Sequence, residues 1–477
     1  MRISPLIILG SRRLPSGVAG DLLPSSLFGE GVVEILLHPC NEEELLARRE
    51  VLEAFLHPQT REALRGTLQA LRGLERSVTR LRGDLLPLER LFCRVQAGRA
   101  YVEAGRALRE RKDDGPRFAA IAEALESEET LSSLEAVLPS METLLQPLQS
   151  VSLSIAEKHW LTADAPVSYA ERIRRAAAVL GLEAPPIRVE ERTVNPALSQ
   201  GILTLYAKEV AELEALLEAH PLPDPAPLLE LIPQFQFGFA MADLVQRAEE
   251  RGIPFCFPTL SKVPAFTARE LYDVTLLASQ VPVIVPNDLY FTSEERFFFL
   301  TGANGGGKTS YLRAVGVNLL LCLAGCPVFA KEATVYPFSG VLTHFPADER
   351  FSSVGRLEEE KRRVEELLAL ADDKTWLLFN ETFSGANEEI GLSFAVQTGR
   401  QMQSRDLFGL FVTHFHGVRE EGFLLLNTLT GEENARTYRI LRDFGLRSSY
   451  AETILKKYGL DEAALQRRED AREDLHL

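Results

Sequence analysis

The sequence predicts a multidomain chain. A mainly helical region at 35–284 is followed by an α/β domain at 285–440 on a largely parallel sheet, with an N-terminal segment at 1–34 and a short helical C-terminus at 441–477. Three observations carry this reading. The 477 residues exceed what one ordinary core holds. Apolar residues between 61 and 148 recur at helical spacing. Beyond 250 the texture changes to short apolar or β-branched runs separated by helical stretches, the alternation that builds parallel sheets.

Composition narrows the class further. With 45% hydrophobic and 25% charged residues the chain has the balance of a soluble globular protein. The formal charge of -16 argues against coating nucleic acid through bulk charge, and leaves room for a local basic surface. Residues 59–118 supply one: 14 Lys plus Arg against 8 Asp plus Glu. Five cysteines without a CxxC pair suggest neither a disulfide framework nor zinc, and no HExxH occurs. The opening "ISPLIILG" is short, lacks a cleavage pattern and reads as a buried strand. No apolar run reaches bilayer-spanning length, so the expected setting is cytoplasmic and nucleoid-associated, with no membrane partner.

Taken in order, Asn41 followed by Glu44 has the spacing of a capping box opening a helix whose Leu45, Leu52 and Phe55 share a face. Leu64, Leu68, Leu71, Leu74, Val78 and Leu81 then mark an amphipathic helix. Arg72, Arg76 and Arg80 recur every four residues along one side of it, which suits either a solvated face or a row of phosphate contacts. A second stripe through Leu131, Leu134, Leu138, Met141, Leu145 and Leu148 is interrupted by Pro139 and Pro147, which predicts two or three helices there. Proline-rich stretches at 181–196 and 220–227 read as linkers or loop corners.

The chemistry lies in "FFFLTGANGGGKTSYLRAVGVN". Gly302, Gly307, Lys308 and Thr309 satisfy G-x-x-x-x-G-K-[ST], the P-loop pattern, after a strand at 297–300 and before a helix at 310–324. Glycines let the backbone close around phosphate so that N–H groups meet the oxygens at a helix N-terminus. The binding stretch is Gly302, Ala303, Asn304, Gly305, Gly306, Gly307, Lys308, Thr309 and Ser310, with ATP and Mg²⁺ the implied ligands. Lys308 would reach the β- and γ-phosphates, and the Thr309 hydroxyl would meet Mg²⁺. Further on, "TWLLFNE" ends an apolar strand in Asn380-Glu381, where a metal-supporting Asp and a water-polarising Glu are usual. Glu381 is the candidate base, and Asn380 stands at the metal position. "LFGLFVTHFH" ends another strand in His414, placed to bond the γ-phosphate.

These three segments, in this order and spacing, resemble the ATPase domain of the MutS family of DNA mismatch repair proteins, an ABC-type P-loop fold. "VPNDLYF" resembles the entry to that domain, "LRDFGLRSSYAETILKKYGL" the segment leading to its C-terminal helices, and 35–284 the helical core and lever. The resemblance implies a dimer, homodimer or heterodimer with the homodimer expected here, with composite ATP sites whose nucleotide state controls a clamp on mismatched, branched or duplex DNA, and with other repair proteins as partners. It makes Glu381 and His414 catalytic, Thr309 and Asn380 metal-binding, and Arg72, Arg76 and Arg80 DNA-binding. Asn380 departs from the family's Asp and points to slow turnover. For the serine that completes a partner's site the candidates are Ser352 and Ser353, with Leu357 and Glu358 at the segment's centre. With only about 285 residues before the ATPase segment there is little room for a mismatch-reading domain, so the expected protein is a shortened relative without one. Two other readings stay open: a nucleotide-gated scaffold that recruits protein with little hydrolysis or DNA binding, and a transporter ATPase subunit, for which an LSGGQ-like stretch is missing.

Overall fold

A computed structural model describes residues 3–149, 151–155, 159–163, 169–179, 181, 196–279, 281–346, 353–431 and 435–443. The chain is helical in its first half and mixed α/β in its second. It divides into two compact units, Met1–Ile7 with Glu50–Phe239, and Ile8–Arg49 with Ala240–Leu477. Relative to the expected division at 284/285, the second unit also takes in residues 240–284 and the stretch 8–49.

In the first unit, the helices Pro58–Leu81 and Pro87–Arg109 pack along each other. Each begins with proline in the first turn, where its missing N–H costs nothing. The stripe Leu64, Leu68, Leu71, Leu74 and Val78 is buried, as its spacing predicts. Helix Glu129–Leu145 runs unbroken through Pro139, contrary to the expected break. Leu131, Leu134 and Leu138 before or beside the proline, and Met141 and Leu145 after it, are all buried. That burial, on both sides of the lost backbone bond, outweighs the cost of proline in mid-helix, about 3 kcal/mol. Pro147 does end the helix, opening a 3₁₀ turn at Pro147–Gln149. Gly98 and Gly105 face Leu134 and Leu131, so the two helices approach without an intervening Cβ. A two-stranded antiparallel ribbon, β1 (Val151–Ile155) and β2 (His159–Ala163), is the one strand pair described in this half. Residues 220–225 form a loop, as their prolines predict, whereas the linker expected at 181–196 lies mostly outside the described residues.

The predicted N-terminal strand is absent: residues 3–10 are irregular, although Leu6 and Ile7 are buried. Side chains replace a neighbouring strand as hydrogen-bond partners. Ile7 N–H donates to Gln234 Oε1 at 2.7 Å, and the Ile8 carbonyl accepts from Arg48 Nε at 2.7 Å. The capping box at Asn41 forms as predicted, with Asn41 N–H to Glu44 Oε2 at 2.9 Å and Glu44 N–H to Asn41 Oδ1 at 3.0 Å. The stretch Ala226–Glu249 is, contrary to the sequence expectation, long and apolar enough to cross a membrane by length and composition. More than half of it is buried inside the protein, and Phe235, Phe237 and Met241 are core residues, which accounts for its apolarity.

The second unit holds two sheets. The smaller has the order β3 (Thr259–Leu260), β7 (Glu332–Val335), β4 (Phe266–Leu271), β5 (Asn287–Phe291). The larger contains β6 (Phe297–Thr301), β8 (Gly340–His344), β9 (Thr375–Asn380), β10 (Phe408–Val412), β11 (Leu425–Thr430) and β12 (Arg436–Asp443), in the order β12-β11-β6-β10-β9-β8. All its pairs are parallel except β11 with β12. β6, β8 and β10 are buried at every position, which is how a parallel sheet covered on both faces reads in sequence. One face presents Trp376, Phe408 and Phe298 to Phe266 and Phe291 of the smaller sheet. The other packs Phe299, Phe379 and Phe411 with Val364, Leu367 and Leu368 of helix Ser353–Leu370 and Ala395 of helix Glu388–Ser404.

Asp273, buried at the start of the 3₁₀ turn Val274–Ala278, accepts from Thr275 N–H at 3.1 Å and Thr275 Oγ1 at 2.6 Å, while its Oδ2 has no partner. Burial pushes its pKa from 3.8 up to about 6. A folded-state pKa above the unfolded one favours folding fully below 3.8, and that contribution is lost as pH rises through about 6. Asp273→Asn, uncharged throughout, is therefore expected to gain about 2–3 kcal/mol on the wild type between pH 4 and pH 7. Chemical denaturation across that range tests it, and parallel pH profiles would contradict it.

Candidate functional site

The order of the larger sheet brings together what the sequence keeps apart. β6, β10 and β9 are adjacent and parallel, so their C-terminal ends lie side by side. β6 leads into the loop 302–307, β10 into Thr413-His414, and β9 ends at Asn380-Glu381. This edge, outside the carboxyl ends of parallel strands, is where open α/β sheets place ligands.

The loop enters helix Lys308–Leu323 through Gly307 at φ +93. Gly302 at φ +124 and Gly305 at φ +71 are also left-handed, where a side chain strains the backbone. Close approach adds a second constraint. A Cβ at Gly302 would run into Thr428 Oγ1 on β11, and one at Gly305 would lie 2.7 Å from the Arg436 guanidinium carbon. Ala303, Asn304 and Gly305 are exposed, and Gly302, Thr309 and Ser310 are half-buried.

Lys308 is only 4% exposed. Its Nζ donates to the carbonyls of Gly302 at 2.9 Å and Ala303 at 3.2 Å, and to Asn304 Oδ1 at 3.4 Å. Among the described residues no carboxylate is bonded to it. Burial lowers its pKa below the ordinary lysine value, and the nearby Glu381 charge acts in the opposite direction. An ammonium held among neutral oxygens is a site for an anion. Thr309 Oγ1 donates to Asn380 Oδ1 at 3.1 Å, so the loop and the end of β9 meet through two neutral oxygens. Magnesium takes carboxylate, phosphate and water oxygens, and among the described residues no group of three His, Cys, Asp or Glu could hold a metal. This donor set fits the phosphates well; a magnesium ion could use Thr309 and Asn380 only with oxygens the phosphates bring.

Glu381 follows β9 at φ +49, with its N–H bonded to the Val412 carbonyl at 2.9 Å and its carbonyl accepting from Ser384 N–H at 3.2 Å. Phe383, two residues on, is also left-handed at φ +68. Two buried groups fix this strained turn. Glu360 Oε2 accepts the Phe383 N–H at 2.7 Å, and His344 Nδ1 meets Thr382 Oγ1 at 2.9 Å. Non-glycine residues in this conformation persist only where their surroundings over-determine them, commonly at functional turns. His414 is half-buried, its ring 4.4 Å from that of Phe415, and among the described residues it makes no hydrogen bond. His416 is exposed.

Sequence reasoning passed over Glu360, His344, Thr428 and Arg436. Glu360 had a signal: it stands three residues after Leu357 and four before Val364, inside the apolar stripe of its helix. Ser352 lies outside the described residues, as do 444–477, where the C-terminal helix was expected; Ser353 opens the helix Ser353–Leu370. Arg72, Arg76 and Arg80 are exposed on helix Pro58–Leu81 in the first unit. Elsewhere in that basic stretch Arg99 pairs with Glu142, and Arg106 and Arg109 with Glu135.

The backbone demand and the steric demand at the loop can be separated. Gly422 is left-handed too, at φ +75, but a Cβ there meets nothing within 4 Å. Gly302→Ala is expected to destabilise the protein by about 1–3 kcal/mol more than Gly422→Ala. Equal losses in melting experiments on the two variants would remove Thr428 as the loop's backstop.

Comparison with known proteins agrees with this geometry. Residues 298–461 match the family description "MutS domain V". The chain is 28% identical over 212 residues to "Endonuclease MutS2" of Streptococcus suis (strain 05ZYH33), covering 41% of this chain and 27% of that protein. It is 30% identical over 187 residues to "DNA mismatch repair protein MutS" of Fervidobacterium nodosum, covering 36% and 23%. The namesake of Thermotoga neapolitana is 28% identical over 197 residues, covering 38% and 25%. The chain thus spans about a quarter of the length of these relatives. Over the phosphate-type loop and the strands that follow it, residues 298–461, the chain is thus similar to domain V of the MutS family.

Proposed function

We propose that the chain binds ATP at Gly302–Ser310 and hydrolyses it slowly, acting as a DNA-associated ATPase in mismatch repair or a related repair pathway. The observation that carries the proposal is the buried Lys308 ammonium inside a glycine loop at a helix N-terminus, beside the strand ends bearing Glu381 and His414. Loop N–H groups and Lys308 hold the phosphates, and Thr309 with Asn380 supports a magnesium ion that arrives with them. Bound magnesium draws charge from the phosphate oxygens. Glu381 orients and deprotonates the attacking water, and the unbonded imidazole of His414 contacts the terminal phosphate. The names of the relatives support DNA as partner and repair as context. Two copies of the chain forming composite sites, and Arg72, Arg76 and Arg80 contacting DNA phosphates, complete the reading.

Asn380 favours a second reading in part. With a neutral amide in place of a carboxylate, the site binds nucleotide better than it turns it over, which is what a protein-recruiting scaffold needs. Steady-state ATPase across a Mg²⁺ titration, with and without duplex, mismatched and branched DNA, separates the two. The motor reading expects a low rate changed by DNA, lost in Lys308→Ala, reduced at least about 100-fold in Glu381→Ala, and raised or made less Mg²⁺-demanding by Asn380→Asp. A rate that no DNA alters and Glu381→Ala leaves intact would overturn it. For the DNA contacts, replacing all three arginines by alanine should reduce the slope of log affinity against log salt by about 2–3. An unchanged slope would free that helix face of any role.

A further inference from the structure

We propose that Arg436 is a phosphate-binding residue of this same site, supplying charge that Asn380 does not bring through a metal, so that nucleotide is held without a divalent cation. The inference rests on the nucleotide reading above and goes beyond it by naming a residue and a metal independence.

Arg436 begins β12. Its guanidinium lies so close to Gly305 that a Cβ there would be 2.7 Å from Cζ, 2.8 Å from Nη1 and 3.0 Å from Nη2. It is exposed, and among the described residues it makes no ion pair or hydrogen bond. A guanidinium brought this close to the glycine loop, with no carboxylate bonded to it among the described residues, is placed for an anion that the loop also binds.

The strand that carries it is held in place. Buried Asn287 on β5 accepts the Ile440 N–H at 2.7 Å and donates to the Tyr438 carbonyl at 3.0 Å, bracketing Tyr438 at φ +56. Arg439 Nη1 donates to the Pro286 carbonyl at 2.8 Å. Next to Gly307, Tyr438 lies 3.4 Å from where a Cβ would stand. Strained backbone held by Asn287 keeps the start of β12 against the loop, so the Arg436 backbone stays beside Gly305.

The charges around the loop then have a consistent logic. Lys308 and Arg436 are cationic, Glu381 anionic, and Thr309 and Asn380 neutral. A site that depends on magnesium concentrates carboxylate near its threonine; this one places a second cation on the loop instead.

The test is equilibrium binding of ADP, and of adenosine as the phosphate-free control, to the full chain in Mg²⁺ and in EDTA. Wild-type ADP affinity should change less than about three-fold on adding EDTA, whereas Arg436→Ala should weaken ADP binding about ten-fold or more in EDTA and leave adenosine binding unchanged. Arg436→Lys, which keeps the charge, should recover part of the loss, and an unchanged melting temperature would show that the variants fold. Loss of wild-type ADP binding in EDTA with tight binding in Mg²⁺ would overturn the metal independence while leaving the nucleotide reading standing. Equal affinities of wild type and Arg436→Ala in EDTA would remove the arginine. No ADP binding by the wild type in either buffer would sink the nucleotide reading and this inference together.

Discussion

The loop edge of the second unit is organised around a buried ammonium. Lys308 is almost fully buried, its ammonium satisfied by two carbonyls and an amide oxygen and, among the described residues, by no carboxylate. Desolvation penalises such a cation, and its lowered pKa is the sign of that penalty. Nothing in the fold requires a lysine there. Leucine or methionine would fill the space at the helix entrance without the electrostatic cost. The glycines that permit the loop to close, the threonine on β11 that backs it and the parallel strands that end beside it surround a positive group held among neutral oxygens. An arrangement of this kind is stabilised when an anion enters, and the energy released on binding is available for changing the state of the surrounding elements.

What distinguishes this site is the chemistry at the end of β9. Asn380 keeps the hydrogen-bonding shape of a metal-supporting residue through Thr309 yet removes its charge. Glu381 meanwhile is held with unusual care. Two left-handed residues flank Thr382, and buried groups from β8 and from helix Ser353–Leu370 hold the turn by its backbone and hydroxyl. The fold therefore fixes the turn that carries Glu381 through side chains from two other elements. Glu360 ties helix Ser353–Leu370 to that turn.

Much of this was legible from sequence, for reasons that are local. The capping box at Asn41 and Glu44, the stripe from Leu64 to Val78, and the strand–loop–helix around Lys308 are each written in residues close together in the chain. Strand ends bearing Glu381 and His414 were visible because fully buried parallel strands leave unbroken apolar runs. What sequence did not reveal is non-local. Strand order, the antiparallel partner β12, and the meeting of Arg436 with Gly305 depend on pairings that no period encodes. Pro139 misled because the burial of five residues in its stripe overrode a local preference. "ISPLIILG" misled because its backbone partners are the side chains of Gln234 and Arg48. Glu360 hid inside an apolar stripe, where an acid is noticed only once its partner is known.

The central claim is that the buried ammonium exists to meet nucleotide phosphate. Isothermal titration of ATP into the full chain, repeated with Lys308→Met, tests it most directly. The account predicts one site per chain in the wild type and loss of that site in a variant that still folds with an undiminished melting temperature. Binding that survives Lys308→Met, or no binding by the wild type at millimolar ATP, would contradict it.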